Sequence, residues 1–119
     1  MASFRYGRSA RLAGRRDFDA VFGRGRRLKG DNLILWHVAT GNPSAPARFG
    51  VSIGAKFGIA VRRNRAKRLV REAFRLNRES FRKGLSLVAY PRPGCRWKTM
   101  PDAAKDLLDL SRKAGLLAS

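Results

Sequence analysis

The sequence predicts a single α+β domain in the order α-β-β-β-α-β-α, a small mixed sheet sandwiched with helices. Three observations carry that prediction. Stretches rich in β-branched and aromatic residues alternate with stretches of helical period. Clusters of Gly, Pro, Asn and Ser separate them. The length, 119 residues, is that of one domain, and no internal repeat appears.

The elements follow in order. Residues 16–23 form a short helix, with Phe18, Val21 and Phe22 on one side at i, i+3 and i+4, ended by Gly23 and Gly25. A short strand lies near residues 27–30. Residues 31–39 and 47–53 read as two antiparallel strands, joined by the turn-forming run Thr40-Gly-Asn-Pro-Ser-Ala-Pro46. After Gly54-Ala-Lys-Phe-Gly58 comes a long helix from about residue 60 to 78. A last strand, residues 85–90, stops at Pro91. The closing helix starts at Thr99, an N-cap with Asp102 at N3 and Pro101 in the first turn, and its apolar set is Ala103, Leu107, Leu110 and Ala114.

Composition excludes several functions. The hydrophobic fraction of 44% is that of a folded chain, and no run approaches the roughly 18 apolar residues of a membrane span. One cysteine, Cys95, forbids an internal disulfide and suits a reducing, cytoplasmic setting. Its position between Gly94 and Arg96 is compatible with a lowered thiol pKa, though a lone loop thiol is ordinarily inert. One histidine, His37, argues against a His-based metal site or a catalytic triad, and reads as a sheet residue. The partial phosphate-loop match at Gly50, Gly54 and Lys56 lacks the required spacing, and no carboxylate pair makes a metal clamp.

What stands out is charge. The chain carries 27 Lys+Arg against 8 Asp+Glu, a net +19. Self-repulsion of that size is tolerated mainly where a polyanion neutralises it. Cations outnumber acids nine to two in residues 1–30 and ten to two in residues 60–83, whereas residues 31–59 are nearly neutral. Residues 1–14 read as a basic flexible N-terminal arm before a domain at residues 15–115. A mitochondrial presequence has similar composition, but here the Arg density continues past any cleavage point, through Arg24, Arg26 and Arg27.

On the long helix, advancing about 100° per residue from Val61 places Ala66, Leu69, Val70, Ala73, Phe74 and Leu76 on one apolar stripe. Asn64, Lys67, Arg68, Arg71, Arg75 and Arg78 form a second stripe of five cations, one amide and no carboxylate. Like charges at helical spacing cost about 0.2–0.5 kcal/mol per pair. Arg62, Arg63 and Arg65 crowd the first turn, where the macrodipole disfavours cations by about 0.3–1 kcal/mol each. Several local rules broken together point to a functional surface. Guanidinium forks and an amide suit phosphate, sugar and base contacts. Phe18, Phe22 and Trp36 offer stacking platforms for unpaired bases, although such spacings are more often plain core. Single-stranded RNA fits a groove between sheet and basic helix better than duplex DNA does.

The run Gly58-Ile-Ala-Val-Arg-Arg-Asn-Arg-Ala-Lys-Arg-Leu-Val-Arg-Glu-Ala-Phe-Arg75 resembles the signature of the bacterial ribonuclease P protein subunit. Arg15-Arg-Asp-Phe-Asp-Ala-Val-Phe-Gly-Arg-Gly-Arg-Arg27 is similar to that family's first helix and turn, and Arg48-Phe-Gly-Val-Ser-Ile53 to its following strand. The likeness spans roughly residues 10–112.

The resemblance implies a ribosomal protein S5 domain 2-like fold with a left-handed β-α-β crossover. It also implies a partner RNA that performs the chemistry with Mg²⁺ held mainly by the RNA, cutting the 5′ leader from precursor tRNA. Arg62, Arg63, Asn64, Arg65, Lys67, Arg68, Arg71 and Arg75 are then expected to contact the catalytic RNA. Phe18, Phe22, Trp36 and Lys56 are expected to line a cleft for the single-stranded leader. No catalytic residue, protein metal ligand, membrane or DNA is implied. Ala55, Ile59, Ser86 and Tyr90 depart from the family's usual residues at their positions. A small ribosomal protein has the same composition and is the alternative; a helix-turn-helix DNA binder ranks last because the basic helix lies between strands.

Overall fold

The computed structural model describes residue 12 and residues 14–118. Three helices, α1 (Gly14–Arg24), α2 (Ala60–Asn77) and α3 (Met100–Lys113), accompany four strands, β1 (Arg26–Lys29), β2 (Leu33–Ala39), β3 (Arg48–Val51) and β4 (Leu85–Pro91). The element order matches the sequence prediction. Short 3₁₀ turns at Ala55–Phe57 and Arg78–Ser80 bracket α2.

The sheet order is β1-β2-β4-β3, antiparallel throughout except for the parallel β3–β4 pair. This corrects the expectation of β2 and β3 as neighbours joined by a tight loop. β4, whose Leu87, Val88 and Ala89 are all 0% exposed, has side chains buried on both faces and takes the position between them. The connection 40–47 therefore passes the end of β4 instead of closing a hairpin. Thr40 N–H donates to the Gly84 carbonyl (2.7 Å) and Gly84 N–H to the Ala45 carbonyl (2.6 Å), fastening that connection where β4 begins.

The register sorts side chains onto two faces. On one, Leu33, Leu35, Phe49, Val51, Leu87 and Ala89 meet Val70, Ala73 and Phe74 of α2 and Ala103, Leu107 and Leu110 of α3. Phe49 and Phe74 stack with ring centroids 4.4 Å apart. Leu76, assigned to this core from its helical angle, is instead 38% exposed: it sits at the edge of the stripe, in the last turn of α2. On the other face, Val88 packs against Val21 of α1 and Leu12, with Phe18, Phe22, Trp36 and Val38 around them. Gly50 makes this possible, because a Cβ there would lie 2.7 Å from the Phe18 ring. Arg48 pairs with Asp17 at 3.1 Å, a further tie between β3 and α1. Of the arm assigned to residues 1–14, only Leu12 and Gly14 fall among the described residues. Leu12 is 4% exposed and donates its N–H to the Phe49 carbonyl (3.0 Å).

The α3 start follows its sequence signals. Asp102 accepts from the backbone N–H groups of Lys98 (2.9 Å) and Thr99 (3.1 Å), closing the capping box. Those donors, Lys98 first, hold the Asp102 carboxyl below the ordinary carboxylate range. A depressed folded-state pKa contributes stability that is present above the unfolded value and lost as pH falls through the folded one. Asp102→Ala should therefore lower the urea midpoint at neutral pH and lose less than wild type between pH 6 and pH 3. Equal acid losses in both proteins would refute the assignment.

Candidate nucleic-acid interface

The N-terminus of α2 is built against its own charge. Ile59, the N-cap, supplies no side-chain acceptor, and the first turn holds no acid. One of its guanidinium groups is held by the backbone nearby: Arg63 Nη1 donates to the Gly58 carbonyl at 2.9 Å. Arg65 Nη2 donates to the Lys98 carbonyl at 2.6 Å, joining α2 to the β4–α3 loop. Arg65 thus has a fold contact that its sequence position did not reveal.

The basic stripe divides in two. Asn64, Lys67, Arg68 and Arg71, with Glu72, line an open concavity of about 460 Å³. Among the described residues, no hydrogen bond or ion pair holds Lys67 or Arg68, and Arg71 Nε is buried without a protein partner. Further along, the cations have protein partners. Arg75, expected on the RNA side, is clasped by Glu72 through Nε (3.0 Å) and Nη2. The stripe that reads as free of carboxylate is therefore partly neutralised: Glu72 lies off it by angle, but long side chains at i, i+3 bridge the gap. This pairing lowers the Glu72 pKa, chiefly through the hydrogen bond from Arg75. Arg78 donates to the Ala47 carbonyl at 3.2 Å.

On the opposite sheet face, the three expected aromatic residues come together. Phe18 and Phe22 stack at 6.4 Å, and Phe22 meets Trp36 edge-on at 5.1 Å. All three are half-buried, so each ring serves the fold and still reaches solvent. Arg27 stands 5.6 Å above the Trp36 ring as its cross-strand partner. Sequence reasoning missed Arg27 as a site residue, although the short strand was foreseen and a register would have found it. Lys56 is exposed on the 3₁₀ turn after β3, outside these ring contacts. His37 and Cys95 do not join either group. Burial, then Arg26, lowers the His37 pKa; burial raises that of Cys95, against the lowered value its basic neighbour suggested.

The structure is thus a four-stranded α+β domain with one cationic helix face and one half-exposed aromatic cluster on the opposite face of the sheet. Its charge is that of a class of proteins built to meet a polyanion. The Ribonuclease P family model matches residues 6–115, and the chain belongs to that family. The ribonuclease P protein component of Gluconacetobacter diazotrophicus is 39% identical over 110 residues, covering 92% of this chain and 94% of the relative. That of Finegoldia magna is 36% identical, covering 90% and 92%. Among solved structures, the RNase P protein of Thermotoga maritima superposes with a TM-score of 0.75 at 34% identity, covering 86% of this chain and 96% of that one. The Staphylococcus aureus RNase P protein, at 21% identity and TM-score 0.76, shares the fold. The chain's role is that of the protein component of ribonuclease P, the endoribonuclease of tRNA 5′ maturation, and not that of a ribosomal protein. Among the described residues, no helix is long and apolar enough to cross a membrane.

The two arginines should separate on stability. Arg68→Ala should leave the melting temperature unchanged or slightly raised, since Ala is the better helix former and like-charge strain falls. Arg65→Ala should lower stability by no more than about 1 kcal/mol, the net value of one solvent-exposed hydrogen bond. Thermal melts of the free proteins decide, and an equal effect of both substitutions would contradict the contact to Lys98.

Proposed function

We propose that the protein binds the catalytic RNA of ribonuclease P through the Asn64–Lys67–Arg68–Arg71 surface of α2, with Arg62, Arg63 and Arg65 extending it around the helix start. The carrying observation is the division of the stripe: Lys67 and Arg68 stay uncommitted while Arg75 is paired with Glu72 and Arg78 with the Ala47 carbonyl. Arg75 is accordingly the weakest of the expected RNA contacts. The single-stranded 5′ leader of precursor tRNA lies on Phe18, Phe22 and Trp36, with Arg27 and Lys56 meeting its phosphates. Stacking tolerates any base, which suits leaders of varied sequence.

Cleavage of the phosphodiester, on this reading, belongs to the RNA and to Mg²⁺ bound there, in the cytoplasm. Mg²⁺ takes oxygen ligands in near-octahedral geometry, commonly one or two carboxylates with waters and phosphates. The protein's donor set does not fit it: among the described residues no group of three His, Cys, Asp or Glu converges. On α3, Asp106 accepts from Asn32 and Trp97, and Asp109 from Lys105 and Arg112. The protein's cations instead neutralise phosphates that would otherwise need divalent ions.

Reconstitution with a bacterial ribonuclease P RNA tests the whole reading: the protein should lower the Mg²⁺ concentration needed to cleave precursor tRNA, and an unchanged requirement would sink it. Arg68→Ala should weaken affinity for that RNA by about 1.5–3 kcal/mol and make the log K versus log salt slope shallower by about 0.7–0.9. Unaltered affinity would remove the α2 surface from the interface. Trp36→Ala should weaken binding of precursor tRNA by the assembled enzyme, by about 1–3 kcal/mol, and that of mature tRNA much less. Equal losses for both ligands, or loss of the circular dichroism of the fold, would return Trp36 to a packing role.

A further inference from the structure

A second, smaller cavity of about 120 Å³ lies beside the N-terminal half of α2, and of its lining only Arg62 and Arg65 have a role above. Four half-buried side chains line it, Phe57, Leu69, Cys95 and Trp97, together with the exposed guanidinium residues Arg62 and Arg65. Three separate parts of the chain meet there: the 3₁₀ turn before α2, α2 itself and the loop between β4 and α3.

That loop is fixed in place. Pro93-Gly94, with Gly94 at φ 86°, forms a turn closed by Cys95 N–H donating to the Arg92 carbonyl at 3.0 Å. Arg96 N–H donates to Asn32 Oδ1 (3.0 Å), Trp97 Nε1–H to Asp106 Oδ2 (2.6 Å), and the Lys98 carbonyl receives Arg65 (2.6 Å). Residues 96 to 98 are thereby each tied to another part of the chain, and Cys95 is held by the turn itself. The only polar atom of the Trp97 ring is satisfied, so what the indole offers the cavity is apolar aromatic surface.

Size and charge together define the occupant. The volume lies well below the roughly 300 Å³ at which sites for drug-sized molecules begin, so it suits one planar ring and no more. The exposed cations that line it, Arg62 and Arg65, select a ring that carries an anion. A single nucleotide meets both conditions, and a base held in a duplex meets neither, because it cannot leave its stack. We propose that this cavity accepts one unstacked base of the RNA bound along α2, its phosphate resting on Arg62 and Arg65. The proposal rests on the assignment of α2 to the RNA, and adds to it a point of base insertion.

Cys95, the one thiol of the chain, reports on the cavity directly. The unmodified full-length protein is treated with N-ethylmaleimide, free and saturated with the catalytic RNA. Alkylated protein and Cys95→Ser protein treated identically are then titrated with that RNA. Bound RNA should slow alkylation at least tenfold. The adduct, which plugs the cavity, should cost roughly tenfold in affinity, within what stacking of one base contributes, and leave the salt slope unchanged because no phosphate contact is lost. The Cys95→Ser protein should bind normally after treatment. An alkylation rate indifferent to RNA, or alkylated protein that binds as well as untreated, overturns the pocket; if Arg68→Ala still weakens binding, the α2 interface stands without it, and if neither matters, the interface falls as well.

Should the adduct disturb the fold, Trp97 fluorescence in a Trp36→Phe background decides. A short single-stranded RNA should quench it and an abasic strand of equal length should not. Equal quenching by both refutes base insertion.

Discussion

Because β3 and β4 lie side by side and parallel, the chain between them must return along the sheet before β4 can form. A parallel pair needs a crossover of a dozen or more residues, ordinarily a helix, and here that crossover is α2. The pairing thereby decides where the cations go. A helix crossing over a sheet buries the stripe that faces the strands and presents the opposite one. The apolar side chains of α2 occupy the first position and Lys67, Arg68 and Arg71 the second. If β3 paired with β2 instead, α2 would lose the seat that aims its charge outward.

Magnitudes show why so unfavourable a helix survives. Three cations in the first turn cost together about 1–3 kcal/mol, and the like-charge pairs along the stripe add a few tenths each. Against this stand Val70 and Phe74, both 0% exposed, each worth about 1.5–3 kcal/mol on burial. Ala66, Ala73 and half-buried Leu69 add more. Packing outweighs local electrostatics, so the helix folds around its charges without needing them neutralised. The protein also trims the cost where it can: Glu72 clasps Arg75, Arg63 covers the Gly58 carbonyl, and Arg65 reaches the loop ahead of α3.

Those trimmings are what the sequence conceals. Helical periodicity makes the two stripes of α2 legible because faces at 3.6 residues per turn depend only on local order. The capping box at Thr99 and Asp102 is legible for the same reason. Strand adjacency depends on partners far apart in the chain, which is why the β2 and β3 segments were recognised but wrongly expected to pair. Side-chain reach was equally hidden. Arg65 and Arg68 look alike in sequence, and only the loop before α3, about thirty residues on, distinguishes them. Leu12, in a stretch that reads as a basic arm, is buried by its contact with β3, a partner some forty residues away.

The two faces of the sheet also divide the tasks of stability and recognition. One face is sealed by α2 and α3 over a continuous core; among the described residues the other is covered by α1 and Leu12, over a small cluster of Leu12, Val21 and Val88. Phe18, Phe22 and Trp36 surround that small cluster and occupy both categories. The edge-on contact between Phe22 and Trp36 is worth about 0.5–1.5 kcal/mol beyond its buried area, so both rings contribute to the fold. Their exposed portions, with half-buried Tyr90 of β4 on the same face, are nonetheless the aromatic surface that the described part of this sheet face offers to a ligand. Rings braced by packing lose little further freedom when a base stacks on them, and that lowers the entropic cost of binding. The ambiguity between core and platform that these residues show in the sequence is thus a property of the site itself.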